Sequence, residues 1–258
     1  MARRTLIAKI AIYLPLILYI LVLLGAELSG VFIGKNAAMT LHIVLFFLVF
    51  NHHIIYGKAP YSLLLMAIAL CSLLRIFSLS LIIRELEPVY AYVTTTIPLL
   101  LCIFLLMRLV RIPDAGQVSR RKSFWIQAFV VLVSVFIGFV GYALLMPSIL
   151  VSELNALNIV ITSGILIIFN ALVEELLFRW IVHNGALEFL GEKGIWLSSA
   201  IYAVMGVGFQ SWSYVLFLWV VGLLFEWCVL RSRSLWGVII AHSIISIIML
   251  VILPILNV

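Results

Sequence analysis

Long apolar runs, broken by short polar segments, occupy most of the chain. Runs bounded by charge, Gly or Pro predict nine helices near residues 6–24, 38–56, 60–83, 89–110, 124–147, 158–185, 195–211, 213–230 and 235–253. Most are close to the length of about 20 residues that carries an α-helix through the hydrocarbon of a bilayer. The least distinct boundary is the hairpin Gln210-Ser211-Trp212-Ser213, which separates two rather short runs. The pattern predicts an all-α, polytopic transmembrane helical bundle of about nine spans.

Composition leaves no room for a water-soluble alternative. Of 258 residues, 66% are hydrophobic and 10% are charged, with a mean hydropathy of +1.32. A soluble domain carries about 25% charged residues, and nothing soluble hides this much apolar surface. The net charge of +6 would suit a nucleic-acid partner if it lay on one soluble face. It lies between the apolar runs instead, where Lys and Arg act as topology signals. With the N-terminus cytoplasmic, twelve basic residues fall inside (Arg3, Arg4, Lys9, Lys58, Arg108, Arg111, Arg120, Arg121, Lys122, Lys193, Arg231 and Arg233). Only two, Lys35 and Arg84, fall outside, which puts the C-terminus outside as well. The run Leu6 to Leu24 is long for a signal-peptide core and no A-x-A cleavage site follows it, so it reads as a retained first span. The segment Arg111 to Ser123, RIPDAGQVSRRKS, is the one distinct seam. It divides a four-helix region (1–110) from a five-helix region (124–258) through a basic cytoplasmic loop (111–123), which can also touch anionic lipid. Cys71, Cys102 and Cys228 all lie inside apolar runs and form no C-x-x-C pair, which speaks against a disulfide framework or a zinc site. No metal or other cofactor is expected, and the plasma (inner) membrane of a prokaryote is the expected location.

An ionisable residue inside a span is costly and is a functional hypothesis by default. The sixth run reads I-I-F-N-A-L-V-E-E-L-L-F-R-W-I-V-H. Glu175 and Arg179 are spaced i,i+4 and can pair across one turn. Glu174 points about 100° away and lacks a local partner, the situation in which a carboxylate serves as a general base. The competing reading is that all three snorkel from the cytoplasmic end of the helix into the headgroups. His242, in the ninth run, changes the balance. Counted from Ser234 it lies about 12 Å deep, on the same side and at a similar depth to Glu174. His183 lies two turns beyond Glu175 and could return to it only if the helix broke. His42, His52 and His53 share the second helix, with His52 and His53 expected at the interface. A haem or chlorophyll ligand there has no obvious partner on a second helix.

Three segments in order resemble the CAAX-protease and bacteriocin-processing (CPBP, or Abi) family. Glu174-Glu175-x-x-x-Arg179 resembles its first motif, EExxxR; S-S-A-I-Y-A-V-M-G its second, FxxxH; and L-W-G-V-I-I-A-H-S-I-I-S its third, HxxxN. The resemblance covers roughly residues 124–258. It implies a glutamate-dependent intramembrane endopeptidase, of the kind that includes enzymes trimming prenylated CAAX proteins. By position, Glu174 would activate water with support from Glu175 and Arg179, and His242 and Ser246 would stabilise the oxyanion. Two positions depart from the pattern. Gly206 stands where the second motif has histidine, with Tyr202 for its phenylalanine, and Ser246 stands where the third has asparagine. Removing one oxyanion donor typically costs about 10²–10³ in rate, and removing an acid–base group costs a comparable factor. Gly206 is also expected to leave a void open to a partner side chain or lipid tail. The expectation is therefore a non-proteolytic binding or scaffold subunit, a pseudoenzyme joined to another integral membrane protein. The alternative is an active endopeptidase that cleaves membrane-anchored peptides, with prenylated ones among the candidates.

Overall fold

The computed structural model describes residues 2–57, 61–80, 86–109, 119–151 and 153–256. The described residues are mostly helical and include no strand. In order run α1 (Ala2–Phe32), α2 (Lys35–Tyr56), α3 (Ser62–Leu79), α4 (Pro88–Leu109) and α5 (Arg120–Leu145). Then come α6 (156–190), α7 (Gly194–Val204), α8 (Trp212–Ser232) and α9 (236–256). The protein is a polytopic all-α membrane bundle. Its large apolar side chains point outward along whole helices: Leu132 is 75% exposed, Phe136 69% and Phe47 57%. Such faces would be aggregation surfaces in water and are ordinary where lipid is the solvent.

Eight described stretches are long and apolar enough to cross a membrane, and one of these, Ala156–Phe209, has 54 residues. At 1.5 Å per residue a straight helix of that length would measure about 80 Å, far beyond a hydrocarbon core of ~30 Å. It bends at residues 191–193, dividing into α6 and the short α7, as the apolar pattern anticipates. Gly191 supplies the turn with φ of 62°, a left-handed conformation that glycine adopts without strain. Gly194 then lets α7 start against the end of α6. A Cβ there would lie 2.4 Å from the backbone carbon and oxygen of Ala186. Backbone cannot step aside as a flexible side chain can. Gly194→Val should lower the thermal unfolding midpoint, at a cost of about 1–3 kcal/mol or more. Gly164→Ala, where an added Cβ meets nothing within 4 Å, should not lower it. The short hairpin also forms as expected. Gln210 takes φ of 58°, and Ser211 caps α8 by accepting from the Tyr214 amide at 3.3 Å.

Two features of this bundle position the site. Leu64, Leu65 and Ile68 of α3 belong to one buried core with Leu177, Phe178 and Ile181 of α6, so α6 is held in the middle of the bundle. And α6 is not a uniform α-helix. It is α-helical over Ala156–Ile165, π-helical over Leu166–Leu172, α-helical over Val173–Glu175 and π-helical again over Leu176–Val182. Wide π turns inside helices are rare and concentrate at functional sites. Here they bracket the two adjacent glutamates.

Candidate active site

The site is built where α6 crosses α9. Glu175 is fully buried, and His242 Nδ1 donates to its Oε1 at 2.7 Å. With Nδ1–H committed to a carboxylate, Nε2 is the free nitrogen of the ring. It faces the neighbouring carboxylate, 3.9 Å from Glu174 Oε2. Glu174 therefore does not lack a partner, as the helix position alone suggested. It has one on another helix. It is also the more open of the two carboxylates, with 29% of its side chain exposed against none for Glu175.

Behind this pair lies a buried chain of charge. Arg179 Nε is 3.3 Å from Glu175 Oε2, the expected i,i+4 pairing, and 3.8 Å from Glu226 Oε1 on α8. The guanidinium stacks over the Tyr202 ring at 4.1 Å and is itself fully buried. Glu226 in turn bonds His183 Nδ1. His183 thus joins the network along an unbroken α6, without the helix break that its sequence position seemed to require. It does so through Glu226, a charged residue in the middle of an apolar run that the motif reading passed over. Position inside the run was the signal available for it.

One turn from these groups on both helices is a second polar contact. Asn170 of α6 donates from Nδ2 to Ser246 Oγ of α9 at 2.9 Å, and both residues are buried. The contacts Glu174–His242 and Asn170–Ser246 are parallel rungs between antiparallel helices. Asn170 was also missed from sequence, because an uncharged amide in an apolar run carries no motif.

Both rungs border a cavity of about 320 Å³. Glu174, Tyr202, Gly206, His242, Asn170 and Ser246 all line it, so the three segments singled out from sequence meet at one space. Two of the N-terminal helices, α3 and α4, line it as well. Arg75 of α3 reaches the wall, with Nε 2.6 Å from Glu27 Oε1 of α1 and another nitrogen bonded to the Met205 carbonyl beside Gly206. Glu27 also lies 3.3 Å from His42 Nε2. His52 sits between Tyr19 at 2.8 Å and Tyr61 at 3.5 Å, and His53 meets Ser62 at 3.0 Å. The α2 histidines thus have polar neighbours outside α2: hydrogen-bond partners for His52 and His53, and a nearby carboxylate for His42.

Gly206 borders this cavity, but the position its own side chain would take is not empty. A Cβ there would lie 2.2 Å from Leu218 Cδ1 of α8, so an apolar methyl occupies the place where a side chain would begin. Among the described residues, no group of three or more His, Cys, Asp or Glu side chains could hold a metal ion.

Residues 155–248 match the family model for type II CAAX prenyl endopeptidase Rce1-like proteins. The match spans roughly a third of the chain, from the start of α6 into α9, and contains all three motif segments. No curated protein and no solved structure matches the chain.

Proposed function

We propose, on the premise that the site-bearing segment of this integral membrane protein is Rce1-like, that the chain is a glutamate-dependent intramembrane endopeptidase acting on a membrane-anchored peptide. One observation carries the reading. The half-open Glu174 carboxylate faces the free nitrogen of His242, whose other nitrogen is fixed by buried Glu175. A base, a neighbouring imidazole and a carboxylate that orients it make an acid–base arrangement for amide hydrolysis without a metal. Glu174 takes a proton from a water molecule as the water oxygen adds to the scissile carbonyl carbon, and the carbonyl π pair moves onto oxygen. When the intermediate collapses, the C–N bond breaks and the departing nitrogen takes the proton from Glu174, leaving a carboxylic acid and a free amine. His242 Nε2, beside Glu174, is placed to share that proton. Arg179 stays behind Glu175 and pairs with it at 3.3 Å.

A second reading keeps the fold and drops the chemistry: a non-proteolytic binding or scaffold subunit of a membrane complex. The Leu218 methyl at Gly206 favours it, because an apolar group takes the place where the family's second-motif imidazole would begin. Purified protein in detergent, incubated with a membrane-anchored peptide, separates the two. Cleavage that depends on Glu174 supports the hydrolase. A stoichiometric membrane partner with no such cleavage supports the scaffold.

The proposed setting is the plasma (inner) membrane of a prokaryote, with two membrane regions (1–110 and 124–258) joined by the basic loop at 111–123. The loop lies outside the described residues apart from its last few positions. Its orientation rests on the twelve-to-two distribution of basic residues. A single cysteine introduced near Val118 should react with a membrane-impermeant reagent only from the cytoplasmic side. Labelling from outside would reverse the orientation.

A further inference from the structure

We propose that Asn170 and Ser246 together form the oxyanion site, with the amide supplied by α6 in place of the one missing from α9. The inference rests on the hydrolase reading. It begins from a count of donors. The Asn170 amide has two N–H groups and the Ser246 hydroxyl has one O–H. Their mutual bond at 2.9 Å consumes one of the three. Turning the amide end for end, so that the hydroxyl donates to Oδ1, also consumes one. Either way two donors remain, and neither residue has another hydrogen-bond partner among the described residues. Both side chains are more than nine-tenths buried and both border the cavity.

A polar pair that served only to join two helices would need a single bond. Two uncommitted donors on residues that border a cavity in a low-dielectric setting suit one acceptor oxygen. Their position fits the reaction. Residues 170 and 174 are four apart on α6, as are 242 and 246 on α9, so the donor rung lies about 6 Å along the helices from the base rung. That gap accommodates a water on Glu174, the carbonyl carbon it attacks, and the carbonyl oxygen directed at Asn170 and Ser246. As the water oxygen bonds to carbon, the π pair becomes an oxyanion, and one N–H and one O–H donate to it. Both bonds strengthen with the developing charge, which is how such donors accelerate the step. The assignment frees His242 from the oxyanion role implied by the family pattern and leaves it beside Glu174.

The test uses full-length protein and a membrane-anchored peptide, with kcat and KM measured separately. Asn170→Leu removes the donors at similar volume and should lower kcat about 10²–10³-fold, with KM little changed. Exchanging the pair, Asn170→Ser with Ser246→Asn, should recover most of that loss, because the amide returns from the opposite helix. To guard against partial unfolding, inhibition by a peptide aldehyde is compared with inhibition by the matching alcohol within each variant. The hydrated aldehyde mimics the tetrahedral oxygen and the alcohol does not. The ratio of the two affinities does not depend on the folded fraction, and it should fall in Asn170→Leu and recover in the exchange. Glu174-dependent cleavage with kcat and the inhibitor ratio unmoved by Asn170→Leu would overturn the oxyanion assignment alone. Absence of Glu174-dependent cleavage in the unaltered chain would overturn the hydrolase reading and the assignment with it.

Discussion

Glu174→Gln should lower cleavage of a membrane-anchored peptide by at least about 10²-fold, as expected for removing a general base. The substitution keeps volume and polarity, and Glu174 contributes no buried ion pair to the fold beyond its 3.9 Å approach to His242. Unfolding behaviour should therefore change little while kcat falls. The buried partner of that histidine is Glu175, which keeps its own contacts to Nδ1 and to Arg179 in the variant. A variant that folds normally and cleaves at the parental rate would remove the hydrolase and leave the scaffold reading.

The largest effect on stability should come from Arg179→Leu. Arg179 is the only cation within ion-pair distance of Glu175 among the described residues apart from the His242 ring, and it also serves Glu226. All three side chains are fully buried. Removing one partner of a buried pair strands a carboxylate in low dielectric, at a cost of about 3–5 kcal/mol. The lost stacking on Tyr202 adds to this. A large drop in the thermal or denaturant midpoint is expected, and adding Glu226→Gln should recover part of it by removing one of the two stranded carboxylates. A midpoint within a degree or two of the parent would mean that His183 and His242 already neutralise the two glutamates.

These predictions separate what a linear reading can reach from what it cannot. Apolar runs of bilayer length, with basic residues gathered between them, determine a polytopic helical membrane protein, because lipid is the only solvent for such surfaces and a helix satisfies its own backbone. The sequence also determines the Glu175–Arg179 pair, since i,i+4 neighbours on one helix need no tertiary information. It marked His242 and Glu174 as lying at matched depth, and the fold brings them to 3.9 Å. Arg75, Glu27 and Glu226 were legible in principle, as charges within apolar segments, although no motif names them.

The rest depended on which helices touch. Asn170 meets Ser246, and Leu218 fills the place beside Gly206, only because α6, α8 and α9 pack in one arrangement. Nothing local to residue 206 says whether its missing side chain leaves space, since that is decided by the shape of a leucine on another helix. The direction of the imidazole was likewise settled by a contact 67 residues away in the chain, the bond from Nδ1 to Glu175. Side-chain period and composition report on a helix and its solvent. The pairing of buried polar groups across helices is a property of packing, and it determines which of the marked residues share a site.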